Sequence, residues 1–337
     1  MLGPHHRLRA FAVLVGLVVV ACGGGATEAS TDASPTPAPT PAADDASTAA
    51  PTATTPPSAD PTTEPVSEPD EQPTAERIVV GDQAILDAAL ALELPIIGIP
   101  GYADREAIPS YLAERAANVE VLAERSEVNL EALAAARPDL LLFNEKLVEA
   151  SAARDELAQI ADLVELDVST ARPWRDVLRE VAAAAGVPSR ADARITEAEA
   201  TIAEAREELG PEGLAVEVSV VRCFGPSCRY LPGGTSFPGQ VLDDLGIARP
   251  QLQASDPEGR AFVEVSPERV DLLNGDLIVL LGTDAEDSIA SLRDNPLWRQ
   301  LDAVQAGAVY EVDGAAWFTG NVLALETIVD DIVRLLG

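Results

Sequence analysis

The side chains best suited to bind an anion fall in residues 218–242, a stretch of 25 residues without Asp or Glu. The chain from Glu76 onward otherwise holds 47 acids in 262 residues, since nine of the 56 acids lie in residues 23–75. Arginine offers a planar guanidinium that pairs with carboxylate or catecholate oxygens and stacks on aromatic rings. We therefore predict a positive, aromatic loop that binds an anionic or electron-rich ligand; arginines paired to acids elsewhere are the alternative. The candidate ligand contacts are Arg222, Arg229, Tyr230 and Phe237.

The same stretch contains two cysteines, Cys223 and Cys228, with Gly225 and Pro226 between them. Two such cysteines can close a small disulfide ring outside the cytoplasm. A metal site made from two thiols alone would be incomplete. We therefore predict a disulfide that braces the arginine-bearing segment.

Histidine is confined to His5 and His6, and this excludes several chemistries for the rest of the chain. Bare zinc or manganese usually requires imidazole, so we expect no metal site. The sequence has no GxSxG motif, no Walker A loop and no Cys with a His partner, so we do not expect an enzyme. The formal net charge of −33 disfavours nucleic acid as a partner. Haem would need a tyrosine ligand, and the candidates are Tyr102, Tyr111, Tyr230 and Tyr310.

Three further residues follow predicted strands, where loops of α/β proteins commonly meet ligands. Tyr102 and Arg105 follow the strand predicted at residues 96–99, and capping of that loop is the alternative role. Trp317 follows the last predicted strand and a run of small residues. We expect Trp317 on the pocket wall.

The N-terminal quarter of the chain is predicted to direct export and to anchor the protein to a membrane. Residues 1–21 carry Arg7 and Arg9 ahead of an apolar run that is too short to span a bilayer, which is typical of a signal peptide. The run ends at Cys22 and resembles the lipobox of bacterial lipoproteins, in which lipid is attached to the Cys; an ordinary signal with a chance Cys is the alternative. Residues 22–75, rich in Pro, Thr, Ala and Ser, are predicted to be a disordered tether.

Residues 76–337 alternate between β-branched runs and amphipathic stretches, which predicts an α/β fold of two Rossmann-like lobes. The first lobe is predicted at residues 76–187 and the second at residues 211–337. Residues 188–210 begin at a proline and end at Gly210, so we predict one long rigid helix between the lobes. The predicted strands are residues 78–80, 96–99, 119–122, 140–143, 163–166, 216–221, 277–281 and 309–312.

The order of motifs resembles the extracytoplasmic substrate-binding proteins of ABC importers that carry ferric siderophores, haem or cobalamin. The resemblance covers nearly all of residues 76–337 and implies a ligand cleft between the two lobes. Cys223 and Cys228 depart from the family pattern and leave the ligand type open. The motifs that carry the resemblance are residues 77–80, 129–142, 236–250, 265–270, 295–301 and 307–317.

This resemblance implies a lipid-anchored protein at the extracellular face of the cell membrane. Such a protein captures a ferric siderophore between its lobes and delivers it to an ABC permease with its ATPase. We expect a monomer, no cofactor besides the iron complex carried as ligand, and membrane contact through the lipid alone. A cobalamin- or haem-binding protein of the same fold, or a surface lipoprotein that only mediates contacts, are the alternatives.

Glu131 and Glu268 each fall in the first turn of a predicted helix, one in each lobe. The resemblance implies that these two acids dock onto arginines of the permease. Stabilisation by the helix dipole, which favours acids near a helix N-terminus, is the alternative role.

Overall fold

The computed structural model describes residues 72–101, 106–123, 128–224, 227–282 and 286–337. All of these residues belong to one compact unit that contains two five-stranded sheets. None of the helices within these ranges is long and apolar enough to cross a membrane. Cys22, the predicted signal peptide and most of the predicted tether lie outside the described residues.

The first sheet is entirely parallel, with strand order β3-β2-β1-β4-β5. The side chains of β1 and of the first four residues of β4 are buried, as is typical of parallel strands covered by helices on both faces. The strands are β1 Ile78–Val80, β2 Ile96–Ile99, β3 Glu120–Val121, β4 Leu140–Asn144 and β5 Asp162–Leu166. The helices of this half are α1 Gln83–Ala91, α2 Leu130–Ala136, α3 Glu145–Ser151, α4 Arg154–Ile160 and α5 Trp174–Ala184, with a 3-10 turn at Ser110–Leu112.

The longest helix, α6, spans Pro188–Leu214 and joins the chain of the first sheet to that of the second. Pro188 stands in its first turn, where a missing N–H costs nothing. Gly210 has φ 60° and ψ −177°, so the regular helix ends there and a short second piece follows. The break lies at the predicted end of the connecting helix. The buried side of α6 is a stripe with helical spacing, formed by Ala191, Ile195, Ala198, Ile202, Ala205 and Leu209.

The second sheet is mixed, with strand order β10-β9-β6-β7-β8. Strands β10, β9 and β6 are parallel, whereas β7 is antiparallel to both of its neighbours. The strands are β6 Val218–Phe224, β7 Ser227–Tyr230, β8 Val263–Val265, β9 Leu277–Gly282 and β10 Val309–Asp313. The helices are α7 Phe237–Leu245, α8 Glu286–Asp294, α9 Asp302–Ala306, α10 Gly314–Phe318 and α11 Val322–Leu336, with 3-10 helices at Pro267–Leu273 and Trp298–Gln300.

Two sequence predictions need correction in this half. The segment around the two cysteines is a β-hairpin of β6 and β7 and not a loop, because its residues pair directly across the two strands. Strands β7 and β8 were not predicted, since they are short and, unlike β1, are not continuous apolar runs. The predicted helix with Glu268 in its first turn is the 3-10 helix Pro267–Leu273, which has a kink at Arg269.

Candidate ligand-binding cleft

A cleft of about 430 Å³ opens between segments that precede α6 and segments that follow it. The first side contributes Lys146, at the start of α3, and residues 168–171, which follow β5. No Asp or Glu of the described residues lines this space. Residues 76–337 carry 21 bases against 47 acids, so cations without a described carboxylate make this cleft locally positive within a negative domain. The second side contributes Arg229, Leu231, Ser236, Phe237, Gly259, Ala261, Phe262 and Phe318.

Lys146 is the only lysine in the 337-residue chain. The end of β4 fixes its place, because Asn144 caps α3 by accepting a hydrogen bond from the Lys146 backbone N–H at 3.0 Å. The Asn144 amide in turn donates to Asp82 at 3.1 Å. The capped helix start thus brings an exposed ammonium group to the cleft wall.

The hairpin of β6 and β7 places two arginines side by side. Arg222 pairs with Arg229, and Cys223 pairs with Cys228 on the next rung. The two cysteines form a disulfide, as predicted. Because successive side chains of a strand point to opposite faces, the cystine packs into the apolar core and the arginines point the other way.

Phenylalanine rings surround both guanidinium groups. The Cζ atom of Arg222 lies 3.7 Å from the centroid of the Phe318 ring, and that of Arg229 lies 4.2 Å from the centroid of Phe262. Phe224 lies 6.0 Å from Arg222 and 5.8 Å from Arg229 by the same measure. These cation–π contacts hold the guanidinium groups without neutralising their charge.

The charge of Arg229 has little competition from neighbouring acids. Its Nη2 atom lies 4.0 Å from the Oε1 atom of Glu264, whose side chain is 64% exposed while that of Arg229 is 14% exposed. An ion pair this long with a solvated partner contributes little. Arg229 is therefore suited to attract an anion into the cleft.

Two predicted pocket residues lie in the core. Trp317 is fully buried, with its Nε1 donating to Asp331 at 2.8 Å, and its neighbour Phe318 lines the cleft in its place. Tyr230 is buried because it shares the face of β7 that carries the cystine, and its hydroxyl donates to the backbone oxygen of Leu252 at 3.2 Å. Burial also raises the pKa of Tyr230 above its ordinary value.

The other predicted ligand contacts differ in where they lie relative to the cleft. Arg229 and Phe237 line the cleft. Arg222 does not line the cleft but contacts Phe318, which does. Tyr102 and Arg105 lie outside the described residues.

Polar contacts connect the chain before α6 directly to the chain after it. The Gln240 amide on α7 donates to the backbone oxygens of Thr170 at 2.8 Å and Arg172 at 3.1 Å. The Asn321 amide, which precedes α11, donates to the backbone oxygen of Trp174 at 3.0 Å. These contacts, added to α6, oppose a wide opening of the cleft.

Glu131 and Glu268 are both exposed. Glu131 stands in the first turn of α2, where Asn129 caps the helix by accepting from the Ala132 N–H at 3.0 Å. Glu268 stands in the first turn of the 3-10 helix Pro267–Leu273. Their exposure makes both carboxylates accessible, and their role in docking stays a prediction.

Among the described residues, no group of side chains is suited to coordinate a bare metal ion or haem iron in the cleft. They contain no group of three or more His, Cys, Asp and Glu residues that could hold a metal ion. No tyrosine among them lines the cleft. What the described cleft presents to a ligand is cationic and aromatic side chains.

With two α/β sheets, a long connecting helix and a cleft between the halves, the architecture is that of a substrate-binding protein. A family model described as periplasmic binding protein matches residues 78–316, and the chain belongs to this family. The "Probable siderophore-binding lipoprotein YfiY" of Bacillus subtilis (strain 168) is 28% identical over 268 residues, which cover 76% of this chain and 81% of that protein.

Two solved structures share the fold. Staphylococcus aureus SirA complexed with staphyloferrin B has a TM-score of 0.68 at 21% identity, over 79% of this chain and 95% of that chain. FeuA of Bacillus subtilis, described as a triscatecholate siderophore-binding protein and complexed with ferri-bacillibactin, has a TM-score of 0.64 at 20% identity. That match covers 78% of this chain and 93% of the FeuA chain.

Sequence reasoning missed the importance of three cleft residues. Lys146 was not among the candidate ligand contacts, although it is the sole lysine of the sequence. Phe318 was passed over for its neighbour Trp317, since periodicity cannot tell which of two adjacent aromatic residues turns inward. Phe262 lies in a segment with no predicted element, so nothing in the sequence placed it near Arg229.

Proposed function

We propose that this protein is the substrate-binding component of an ABC importer and that it captures an anionic ferric siderophore in the cleft. The observation that carries the proposal is the charge of the cleft, where Lys146 and Arg229 line a space without a described carboxylate. The family assignment and the siderophore-binding relatives support the same ligand class.

The charge of the iron complex separates the candidate ligand types. A ferric tris-catecholate is trianionic, and ferric complexes of hydroxycarboxylates are also anionic. A ferric tris-hydroxamate is neutral in its coordination sphere. The two cations of the cleft, Lys146 and Arg229, therefore favour catecholate or carboxylate ligands over hydroxamates.

The alternatives receive less support from the described residues. Haem would need an axial ligand, and the described cleft offers neither histidine nor tyrosine. Cobalamin would gain little from two cations, so its affinity would be indifferent to their removal. A purely adhesive lipoprotein would need no cleft of about 430 Å³ that is lined by cations.

A binding panel tests the proposal. Purified domain is titrated calorimetrically with ferric tris-catecholate, ferric citrate, ferrioxamine B and cobalamin. We expect the anionic complexes to bind and Arg229→Gln or Lys146→Gln to weaken them, with Arg269→Gln, an exposed arginine paired with Asp271, as the matched control. No binding of any ferric complex would refute the proposal, and binding of cobalamin alone would replace it.

The remaining parts of the proposal concern delivery and location. Glu131 and Glu268 are proposed to dock onto the permease, and an ATPase is proposed to drive import. Cys22 is proposed to carry the lipid, with residues 22–75 as the tether to the outer face of the cell membrane. We also propose that the domain acts as a monomer that binds its ligand without chemical conversion.

A further inference from the structure

The arginine rung of the β6–β7 hairpin is unusual in its charge. Arg222 and Arg229 are direct cross-strand partners, and like charges in this position destabilise a sheet. A hairpin tolerates such a pair where both cations have a function or where their surroundings offset the repulsion. The surroundings of the two arginines differ, and the difference assigns them separate roles.

Arg222 and Arg229 point to the same face of the hairpin, but only Arg229 is among the residues that line the cleft. The guanidinium of Arg222 stacks on Phe318 at 3.7 Å, the shortest cation–π distance at the hairpin, and Phe318 lines the cleft. An effect of Arg222 on the ligand would therefore pass through the Phe318 ring.

Phe318 needs such support because of its place in the fold. It is the last residue of α10, a helix of five residues, and Thr319 after it is extended. The backbone beside it is anchored by Trp317, which is fully buried and bonded to Asp331. That anchor places the Phe318 backbone, while the rotamer of the ring depends on what it contacts, and Arg222 supplies a flat cationic partner.

We propose that Arg222 is a positioning residue that holds the Phe318 ring in the cleft wall, while Arg229 meets the charge of the ligand. This inference rests on the proposed function, since it divides the ligand site into two parts. Arg229 recognises the charge of the ligand, and Phe318 recognises its shape. Phe318 then offers a fixed apolar face to a ring or alkyl arm of an anionic iron complex. The ligand class that satisfies both parts is an anionic ferric complex with aryl arms.

The first test needs no ligand. The domain is labelled with 4-fluorophenylalanine, and the fluorine resonance of Phe318 is assigned by its absence in Phe318→Leu. Arg222→Gln should shift or broaden that resonance, because the ring loses its stacking partner. Arg229→Gln, the matched control on the same rung, should leave the resonance in place, and an unchanged Phe318 resonance in Arg222→Gln overturns the proposal.

The second test uses the affinity for ferric tris-catecholate as a function of salt. Arg222→Gln should weaken binding by about tenfold, the size of one partly desolvated cation–π contact, with the salt dependence of the wild type. Arg229→Gln should also weaken binding but with a flatter salt dependence, because it removes a charge that the ligand meets. Arg222→Lys keeps the charge without the planar stack and should resemble Arg222→Gln.

A double-mutant cycle completes the comparison. Arg222→Gln should add little to the loss caused by Phe318→Leu, since both changes remove one contact. If Arg222→Gln flattens the salt dependence as Arg229→Gln does, Arg222 meets the ligand directly and the proposal is overturned. If the wild type binds no ferric complex, the proposed function fails, while the fluorine spectra still decide the role of Arg222.

Discussion

Asp87 on α1 is a buried carboxylate whose ionisation makes a specific prediction about stability. It accepts hydrogen bonds of 2.9 Å from the backbone N–H groups of Asn321, Leu323 and Ala324 at the start of α11. The hydroxyl of Tyr111 donates to it at the same distance. Burial raises the pKa of Asp87 to about 6, and these hydrogen bonds only partly offset that effect.

The magnitude follows from the difference between the two pKa values. The ordinary pKa of Asp87 is 3.8 and the folded value is about 6, a difference of about two units. At about 1.36 kcal/mol for each unit, this amounts to ~3 kcal/mol. Between these pKa values the folded state binds more protons than the unfolded state, so the free energy of unfolding falls as the pH rises. The contribution of Asp87 is fully present below the unfolded pKa and lost once the pH exceeds the folded pKa.

Asp87→Asn removes this titration and isolates its effect from other carboxylates. We expect the unfolding free energy of the wild type, minus that of the variant, to decrease by about 2 kcal/mol from about pH 4 to about pH 7, since part of the ~3 kcal/mol is already lost at pH 4. Urea unfolding followed by tryptophan fluorescence at several pH values measures the difference. Asp162→Asn, which replaces an exposed aspartate, serves as the control for the loss of one carboxylate. A pH-independent difference for Asp87→Asn would refute the reasoning.

Three further predictions concern the cleft and the surface. Lys146 should be acylated by an amine-reactive ester, and bound ferric tris-catecholate should slow that reaction, as read by peptide mass spectrometry. Replacing Cys223 and Cys228 by Ser should lower the free energy of unfolding by about 2 kcal/mol, since the disulfide closes a very short loop. Replacing Glu131 and Glu268 by Ala should abolish uptake of radioactive iron by cells without changing ligand affinity.

Each of these predictions has its own control. The α-amino group of the purified domain should react equally with and without ligand, and equal reaction of Lys146 would place the ligand elsewhere. A reducing agent should destabilise the wild type but not the double Ser variant, and no difference would exclude a stabilising disulfide. Glu149 and Glu212 are exposed acids, and their replacement by Ala should leave uptake intact; equal losses in both pairs would argue against specific docking.

Much of the fold could be read from apolar runs, because buried parallel strands are nearly continuous apolar segments. The strands at residues 78–80 and 96–99 were predicted to the residue. The helix from Pro188 to Gly210 was bounded by its proline and glycine. Strand β8 was missed, since its sequence Val-Glu-Val is not a continuous apolar run and its place is decided by pairing with β7.

The sequence indicated the charge of the candidate site but not its geometry. The absence of acids in residues 218–242 pointed to Arg229 and Phe237, which line the cleft, and their role in ligand binding stays a prediction. It could not separate Arg229 from Tyr230, because the strand alternation that sends them to opposite faces applies only once a hairpin is recognised. Trp317 lies in the core and not on the cleft wall. The sequence did not show this, because the hydrogen-bond partner of Trp317, Asp331, lies on another helix.

The central claim is that an anionic iron complex is held between Lys146 and Arg229. Crystals of the domain with ferric tris-catecholate, measured at the iron absorption edge, test it most directly, because anomalous scattering locates the iron without reference to the protein coordinates. We predict one iron peak inside the cleft, with the oxygen atoms of the complex facing these two side chains. An iron peak elsewhere on the surface, or a cleft without iron in crystals that contain the complex, would contradict the account.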